Sequence, residues 1–158
     1  MFEATLRNRS QPELGTLTVT FPIPEADYEK TICELKKLQI GDAVAKDCFI
    51  EDIAASRCPA LYRLIESSVN LDELDWLGKE LESFDQYELL QFSAAAERFG
   101  LYSADEMIDL SFCAGEMTVI SDFSDLEKVG RKHYLTIHGA ADMEELAKLN
   151  GKEIAQAL

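Results

Sequence analysis

The chain has 158 residues, and 47% of them are hydrophobic, so it can bury the core of one large domain or of several small modules. Its 30 acidic and 15 basic residues give a net charge of -15, beyond the ~2–8 charges of an ordinary small domain. Such a charge repels nucleic acid, so we expect no direct binding to DNA or RNA. No apolar run reaches the ~20 residues of a membrane span, so we expect no insertion into a membrane.

The N-terminal third of the chain predicts a β-hairpin, a helix and a third strand. Residues 2–6 and 17–21 alternate between apolar and polar, and the segment between them holds the Ser, Pro and Gly of a loop. Pro24 suits the start of a helix, and Gly41 is predicted as its C-cap. Residues 47–53 form a short apolar run that predicts the third strand.

The middle of the chain predicts several short helices. Residues 58–66 favour one of them, and Gly100 is placed to end another. Three further helix starts are marked by a capping residue with Glu three positions later. These pairs are Asn70 with Glu73, Asp85 with Glu88, and Ser103 with Glu106.

The C-terminal part predicts a strand over residues 117–120 and two more helices. Ser124 and Glu127 form a capping box before a helix that runs to about residue 138, and residues 142–149 favour another helix. Strands and helices in these proportions predict an α+β protein.

The negative charge is concentrated in one stretch of the sequence. Residues 64–127 hold 16 acids and two bases, Lys79 and Arg98, while the segments on either side are nearly neutral. Leu and Phe recur among these acids, so they belong to folded elements and not to an acidic tail. A solvated helix face is the ordinary explanation of such charge, but the basic i,i+4 partners that usually support such helices are missing.

The sequence contains no pattern typical of an active site. It has no phosphate-binding glycine loop and no nucleophile elbow, and His133 and His138 have the wrong spacing for a helical metal pair. No two of the four cysteines have the spacing of a metal or redox motif, and the first residues do not resemble an export signal. This predicts free thiols in a reducing cytoplasm. We therefore expect no enzyme, no metal and no cofactor.

Four segments of the chain share their order and spacing with a known family. Phe-Glu-Ala-Thr-Leu over residues 2–6 is followed by Gly15 and by Phe21-Pro22 at the end of the second strand. The acidic residues 69–99 come next, and then residues 117–125 with the helix after them. Together these segments resemble the ArdA-type antirestriction proteins, which are acidic DNA mimics of mobile genetic elements.

The resemblance implies an elongated chain of three small modules and a homodimer. The modules are a β-hairpin and helix over 1–55, an acidic helical middle over 56–115, and a mixed α/β module over 116–158. The joined arc of two chains would imitate bent B-form DNA. The implied partner is a type I restriction-modification enzyme, whose DNA-binding groove the mimic occupies by competition.

On this interpretation each carboxylate of the middle stretch stands where a DNA phosphate would stand, while Glu73 and Glu127 serve as helix caps. The predicted partner-binding residues are Asp72, Asp75, Glu80, Glu82, Asp85, Glu88, Glu97, Asp105, Glu106, Asp109, Glu116 and Asp122.

The sequence leaves three alternatives open. The mimic could act on another DNA-binding system, such as a CRISPR effector or a transcription factor. An acidic adaptor would instead bind a partner peptide in an apolar groove, and its binding would survive high salt. An enzyme using Cys or His would lose its activity when those residues are replaced.

Overall fold

The computed structural model describes residues 1–116 and, beyond them, Gly130 alone. The chain divides into two compact units, Met1–Met117 and Thr118–Leu158. The strand predicted at 117–120 and the helices predicted after it lie outside the described residues, as do Asp122, Glu127, His133 and His138.

The first 69 residues of the described chain contain a four-stranded antiparallel sheet. The predicted hairpin and third strand are confirmed, and a short fourth strand that was not predicted extends the sheet. In chain order the strands are β1 (Phe2–Asn8), β2 (Thr16–Phe21), β3 (Cys48–Ala54) and β4 (Ser68–Val69), and their spatial order is β2-β1-β3-β4.

The alternating pattern of β1 decides which face of the sheet is buried. Phe2, Ala4 and Leu6 are all buried, and Ala4 lies opposite Val19 of β2 and Ile53 of β3. The polar residues between them point to the other face, as the twofold period of a strand requires. One face of the sheet therefore carries the hydrophobic core.

The side chain of Asn8 connects the hairpin loop to the rest of the unit. Its Oδ1 accepts hydrogen bonds from the backbone N–H groups of Ser10 and Gln11, each at 2.9 Å. Its Nδ2 donates to the carbonyls of Leu38 and Gln39, at 3.1 and 2.9 Å. A buried amide with all of these partners fixes the loop relative to the segment that follows the first helix.

The first helix, α1 (Tyr28–Lys37), ends earlier than the sequence predicts. Its C-cap is Leu38, so the assignment of Gly41 as the C-cap is wrong. The chain turns first at Gln39, whose φ is 56°, and again at Gly41, whose φ is 122°. Gly41 therefore serves the next turn, at a φ that a side chain would strain.

Residues 58–66 do not form the predicted α-helix but a shorter 3-10 helix, Pro59–Leu64. The reason lies in the neighbouring strand, because the Glu66 N–H donates to the Ile50 carbonyl at 2.8 Å. The Ile50 N–H donates in turn to the Ser67 carbonyl at 3.0 Å. Pairing with the sheet replaces the last helical turn.

Three helices complete the unit, and their predicted caps are largely confirmed. Asn70 accepts from the backbone of Asp72, and Ser103 from that of Glu106, while Asp85 and Glu88 form a reciprocal capping box. Gly100 ends its helix with φ 65°, in the left-handed region. The helices are α2 (Leu71–Ser83), α3 (Gln86–Phe99) and α4 (Ala104–Ser111), followed by a 3-10 turn, Ala114–Glu116.

The sheet and the helices share one continuous cluster of buried residues, which includes Leu6 of β1, Leu74 of α2, Phe92 of α3 and Met107 of α4. Burying each such side chain contributes about 1.5–3 kcal/mol. The predicted α+β class is thus confirmed for the described residues as an antiparallel sheet covered by helices. The division into three modules stays a prediction.

A glycine allows α2 to approach the sheet closely. A Cβ at Gly78 would lie 2.9 Å from the Pro22 nitrogen and 3.1 Å from the Phe21 Cβ, at the end of β2. These distances are shorter than ordinary carbon contacts. Glycine at this position therefore fixes the first acidic helix against the sheet.

Candidate acidic interaction surface

The amphipathic pattern of α2 and α4 sends their acidic residues outward. In α2, Leu74, Leu77 and Leu81 face the core, while Asp72 and Glu82 are exposed. In α4 the buried Met107 and Leu110 leave the acids on the solvent side. The 3.6-residue period of a helix therefore separates apolar and charged residues over this surface.

Asp75 is the exception among the predicted surface acids. It is 8% exposed, and its Oδ1 accepts a hydrogen bond from the Ile23 backbone N–H at 2.7 Å. Its Oδ2 lies 2.9 Å from the Nζ of Lys79. The carboxylate is already engaged within the fold, so the role of phosphate mimic predicted for Asp75 is wrong.

Asp85 and Glu88 lie on the surface but serve the start of α3. The Asp85 Oδ1 accepts from the Glu88 N–H at 2.8 Å, and the Glu88 Oε2 accepts from the Asp85 N–H at 2.7 Å. Two otherwise unpaired N–H groups at the helix N-terminus are satisfied in this way. Both charges remain at the surface, while one oxygen of each is occupied.

Asp105 and Glu106 are also engaged, at the start of α4. The Glu106 Oε2 accepts from the Tyr102 N–H at 3.2 Å. The Asp105 Oδ2 accepts from the Nζ of Lys46 at 2.6 Å. The hydrogen bond from Lys46 lowers the pKa of Asp105, and the same bond raises the pKa of Lys46. Lys46 belongs to the loop before β3, and nothing in the sequence pattern connects it with the acidic stretch.

Glu73 does not act as the predicted helix cap. Asn70 caps α2 alone, and the Oε2 of Glu73 is buried without a hydrogen-bond partner among the described residues. Its charge acts instead on Lys46, whose pKa it raises in addition to the larger effect of Asp105. The two acids and Lys46 therefore interact where α2 and α4 begin.

The carboxylates of the remaining predicted residues form no hydrogen bond or ion pair with any residue that the structure describes. We call this set the open carboxylates. All of them are exposed except Glu80, which is half-buried. They are Asp72, Glu80, Glu82, Glu97, Asp109 and Glu116.

Two aromatic side chains interrupt this acidic surface. Trp76 of α2 is 36% exposed, and Phe112, just after α4, is 71% exposed. Their ring centroids are 5.4 Å apart with an interplanar angle of 41°. This pair was not predicted, because the pattern of apolar residues in α2 alone does not show whether Trp76 faces the core or the solvent.

The two buried thiols, Cys48 and Cys58, give no support to cysteine chemistry, while Cys33 and Cys113 are exposed. All four cysteines are free, as predicted. Burial raises the pKa of Cys48 to about 12, and it also raises the pKa of Cys58. A buried thiol that stays protonated is a poor nucleophile. Within residues 1–116, no three His, Cys, Asp or Glu side chains are arranged to hold a metal ion.

An open groove of about 560 Å³ lies between the 3-10 helix and α3. Tyr87, Leu89 and Leu90 give it a mainly apolar wall, and Arg57 also lines it. Tyr87 and Leu90 are 53% and 48% exposed. This is the feature that a peptide-binding adaptor would use.

Comparisons of the chain with protein-family models, with curated proteins and with solved structures find no match. In the described part of the chain, none of the helices has the length and apolar character needed to cross a bilayer.

Proposed function

We propose that this protein is a DNA mimic that inhibits a DNA-binding enzyme by occupying its DNA-binding groove. The observation that carries the proposal is the set of open carboxylates on helices packed over one core. An acid that stabilised the fold would be expected to have a partner, as Asp75 does. The carboxylates of these acids form no hydrogen bond or ion pair with a described residue, and Asp72 acts on Lys79 only as a nearby charge. Their charge is therefore available to a partner outside the chain.

The physical basis of the proposal is charge density. Duplex DNA carries about one negative charge per 1.7 Å of helix axis, and proteins bind it largely through Lys and Arg. A surface with many carboxylates offers those same side chains an equivalent set of contacts. Binding would release the ions that neutralise both surfaces, so its affinity would fall steeply with salt.

We propose a type I restriction-modification enzyme as the target, and a homodimer of elongated three-module chains as the active form. These finer features are supported by the resemblance of residues 2–6, 69–99 and 117–125 to the ArdA-type antirestriction proteins. The four free thiols suit a reducing cytoplasm, where we expect the protein to act. The proposed activity needs no cofactor, metal or catalytic residue.

The groove beside α3 supports a second candidate function, an adaptor that binds an apolar peptide. A peptide in this groove would contact Tyr87 and Leu90, and none of the open carboxylates lines the groove. The two functions differ in their dependence on salt, because apolar burial is not screened whereas contacts between exposed charges are.

The test is an inhibition assay with a purified type I enzyme at several DNA concentrations. We expect inhibition to weaken as DNA is added, since the protein and DNA compete for one groove. In a parallel gel shift the protein alone should not bind duplex DNA, because its charge of -15 repels it. Inhibition independent of DNA concentration, or submicromolar binding to DNA, would contradict mimicry.

Two controls separate the alternatives. The same assay with a CRISPR effector and with a transcription factor identifies a mimic directed at another DNA-binding system. A Leu90→Asp variant alters the groove at a half-exposed position and leaves the open carboxylates intact. Mimicry predicts undiminished inhibition by this variant, whereas an adaptor would lose its partner.

A further inference from the structure

The Trp76–Phe112 pair leaves an aromatic surface open to solvent on a strongly charged part of the molecule. Large exposed aromatic side chains are enriched at the energetic centres of protein interfaces. Phe112 is 71% exposed, so little of its surface is used by the fold. The position of the pair therefore raises the question of which chemical group it would contact.

The helical spacing of the sequence brings carboxylates close to both rings. On α2, Asp72 is four residues before Trp76 and Glu80 is four residues after it, so helical geometry places both beside the indole. On α4, Asp109 is three residues before Phe112. All three acids belong to the open carboxylates. The neighbouring base, Lys79, is held by Asp75 at 2.9 Å.

The same molecule shows which group such a surface accepts. The Arg7 guanidinium lies 4.0 Å from the centroid of Phe49, and Glu51 pairs with Arg7 at 2.8 Å. The Arg63 guanidinium lies 4.2 Å from the centroid of Tyr102. Over residues 1–116, no cation is stacked in this way on Trp76 or Phe112. The pair thus repeats the Arg7 arrangement, an aromatic ring with a carboxylate beside it, but without the arginine.

We propose that the Trp76–Phe112 pair is the anchor for an arginine side chain of a basic, DNA-binding partner. The planar guanidinium stacks on the rings, while its N–H groups donate to Asp72 and Asp109. Lysine fits less well, because its ammonium is a compact, strongly hydrated charge that cannot stack as a plane. The inference rests on the proposed function in one respect, namely that the partner is basic.

The experiment compares two labelled peptides of equal charge, one with arginines and one with lysines at the same positions. We expect the arginine peptide to bind about threefold to tenfold more tightly by fluorescence anisotropy. The preference should persist as salt is raised, because a stacked contact is screened less than exposed charges. Trp76 is the chain's single tryptophan, so a change in its emission with the arginine peptide would report contact directly.

Two variants test the assignment to this pair. Trp76→Leu and Phe112→Leu should each remove the arginine preference and leave the affinity for the lysine peptide unchanged. Phe112 is mostly exposed, so its variant is expected to fold, and circular dichroism checks this. The matched control is Tyr87→Leu, an exposed aromatic in the groove beside α3, which Trp76 and Phe112 do not line, and this variant should keep the preference.

Equal affinity for the two peptides, or an arginine preference that survives in both variants, would overturn the inference. Neither result depends on a restriction enzyme, so a failure of the arginine anchor can be distinguished from a failure of the proposed function. Inhibition of the enzyme without an arginine preference would refute the anchor alone. An arginine preference at Trp76 without inhibition of any DNA-binding enzyme would refute the proposed function alone.

Discussion

Two acids of α2 have the same chemistry but different roles. Asp75 is buried between the Ile23 backbone and Lys79, whereas Glu82 is exposed and has no partner in the described chain. Replacing a buried acceptor leaves a donor without its hydrogen bond, and replacing an exposed one leaves nothing unsatisfied. The effect of removing either acid should therefore depend on its environment and not on its charge.

We expect Asp75→Ala to lower the free energy of unfolding by about 1–3 kcal/mol, because the buried Ile23 N–H loses its acceptor. Glu82→Ala, the matched control on the same helix, should change it by no more than about 0.5 kcal/mol. Urea denaturation of both variants makes the comparison. Equal stability of the two variants would show that the Asp75 hydrogen bond is not maintained in solution.

The contact between Lys46 and Asp105 predicts a dependence on pH. The pKa of Asp105 is lowered below its ordinary value of 3.8, chiefly by the hydrogen bond from Lys46. The stabilisation is therefore present above pH 3.8 and is lost as the pH falls through the lower pKa of the folded state. Both side chains are 40% or more exposed, so the effect is small, about 0.2–1 kcal/mol.

Lys46→Gln should raise the pKa of Asp105 towards 3.8, as followed by NMR titration of its carboxyl group. Lys30→Gln is the control, since Lys30 is an exposed lysine with no ion pair in the described part of the chain. An Asp105 titration that is the same in both variants would mean that solvent breaks the contact.

Among the secondary-structure elements, the sequence predicted best the helix starts and ends that depend only on neighbouring residues. Asp85 and Glu88 are three residues apart and satisfy each other, so their capping box can be recognised from the sequence alone. The same holds for Gly100, where the end of the helix requires a left-handed residue.

Features that depend on distant residues were not predictable in this way. The Ile23 N–H that binds Asp75 is 52 residues away, and Lys46 is 59 residues from Asp105. The early end of the 3-10 helix depends on pairing with β3, which local propensity does not reveal. Tertiary contacts therefore explain both the site residue that was lost, Asp75, and the charge that was missed, Lys46.

The close approach of α2 to the sheet gives a prediction for Gly78→Ala. Alanine favours a helix by about 1 kcal/mol over glycine, but its methyl group would meet backbone atoms that cannot rotate away. Overpacking of this kind costs about 1–3 kcal/mol, so we expect a net loss of up to about 2 kcal/mol.

Thermal denaturation of Gly78→Ala measures this loss. Gly115→Ala serves as the comparison, because a Cβ at Gly115 would lie in open space and should be tolerated. If Gly78→Ala proved as stable as the wild type, the helix could move away from Pro22 at no cost, and the contact would not fix its position.

At the scale of the whole molecule, charge should act collectively. We expect single changes of the open carboxylates to their amides to weaken inhibition by no more than about 1 kcal/mol each. Changing all six together should abolish inhibition and flatten its dependence on salt, because fewer ions are then released. The fold should be retained, since removing repulsion between like charges does not destabilise it.

Inhibition and melting temperature measured across this graded series test the expectation. The control series changes six acids outside residues 64–127 to amides and therefore alters the net charge equally. A loss of activity at one position, with the others without effect, would indicate an active site instead of a distributed surface. Equal loss in both series would indicate that net charge alone matters and not its location.

The close contact at Gly78 has a consequence for how a partner would be recognised. The backbone positions that carry the carboxylates of α2 are held at fixed separations by a helix packed against a sheet, so their order exists before any partner arrives. Little backbone entropy remains to be lost when they are bound, and only the side chains still have to be ordered. A flexible acidic peptide of the same composition would have to lose that entropy on binding. We therefore expect it to compete poorly, even at the same number of charges.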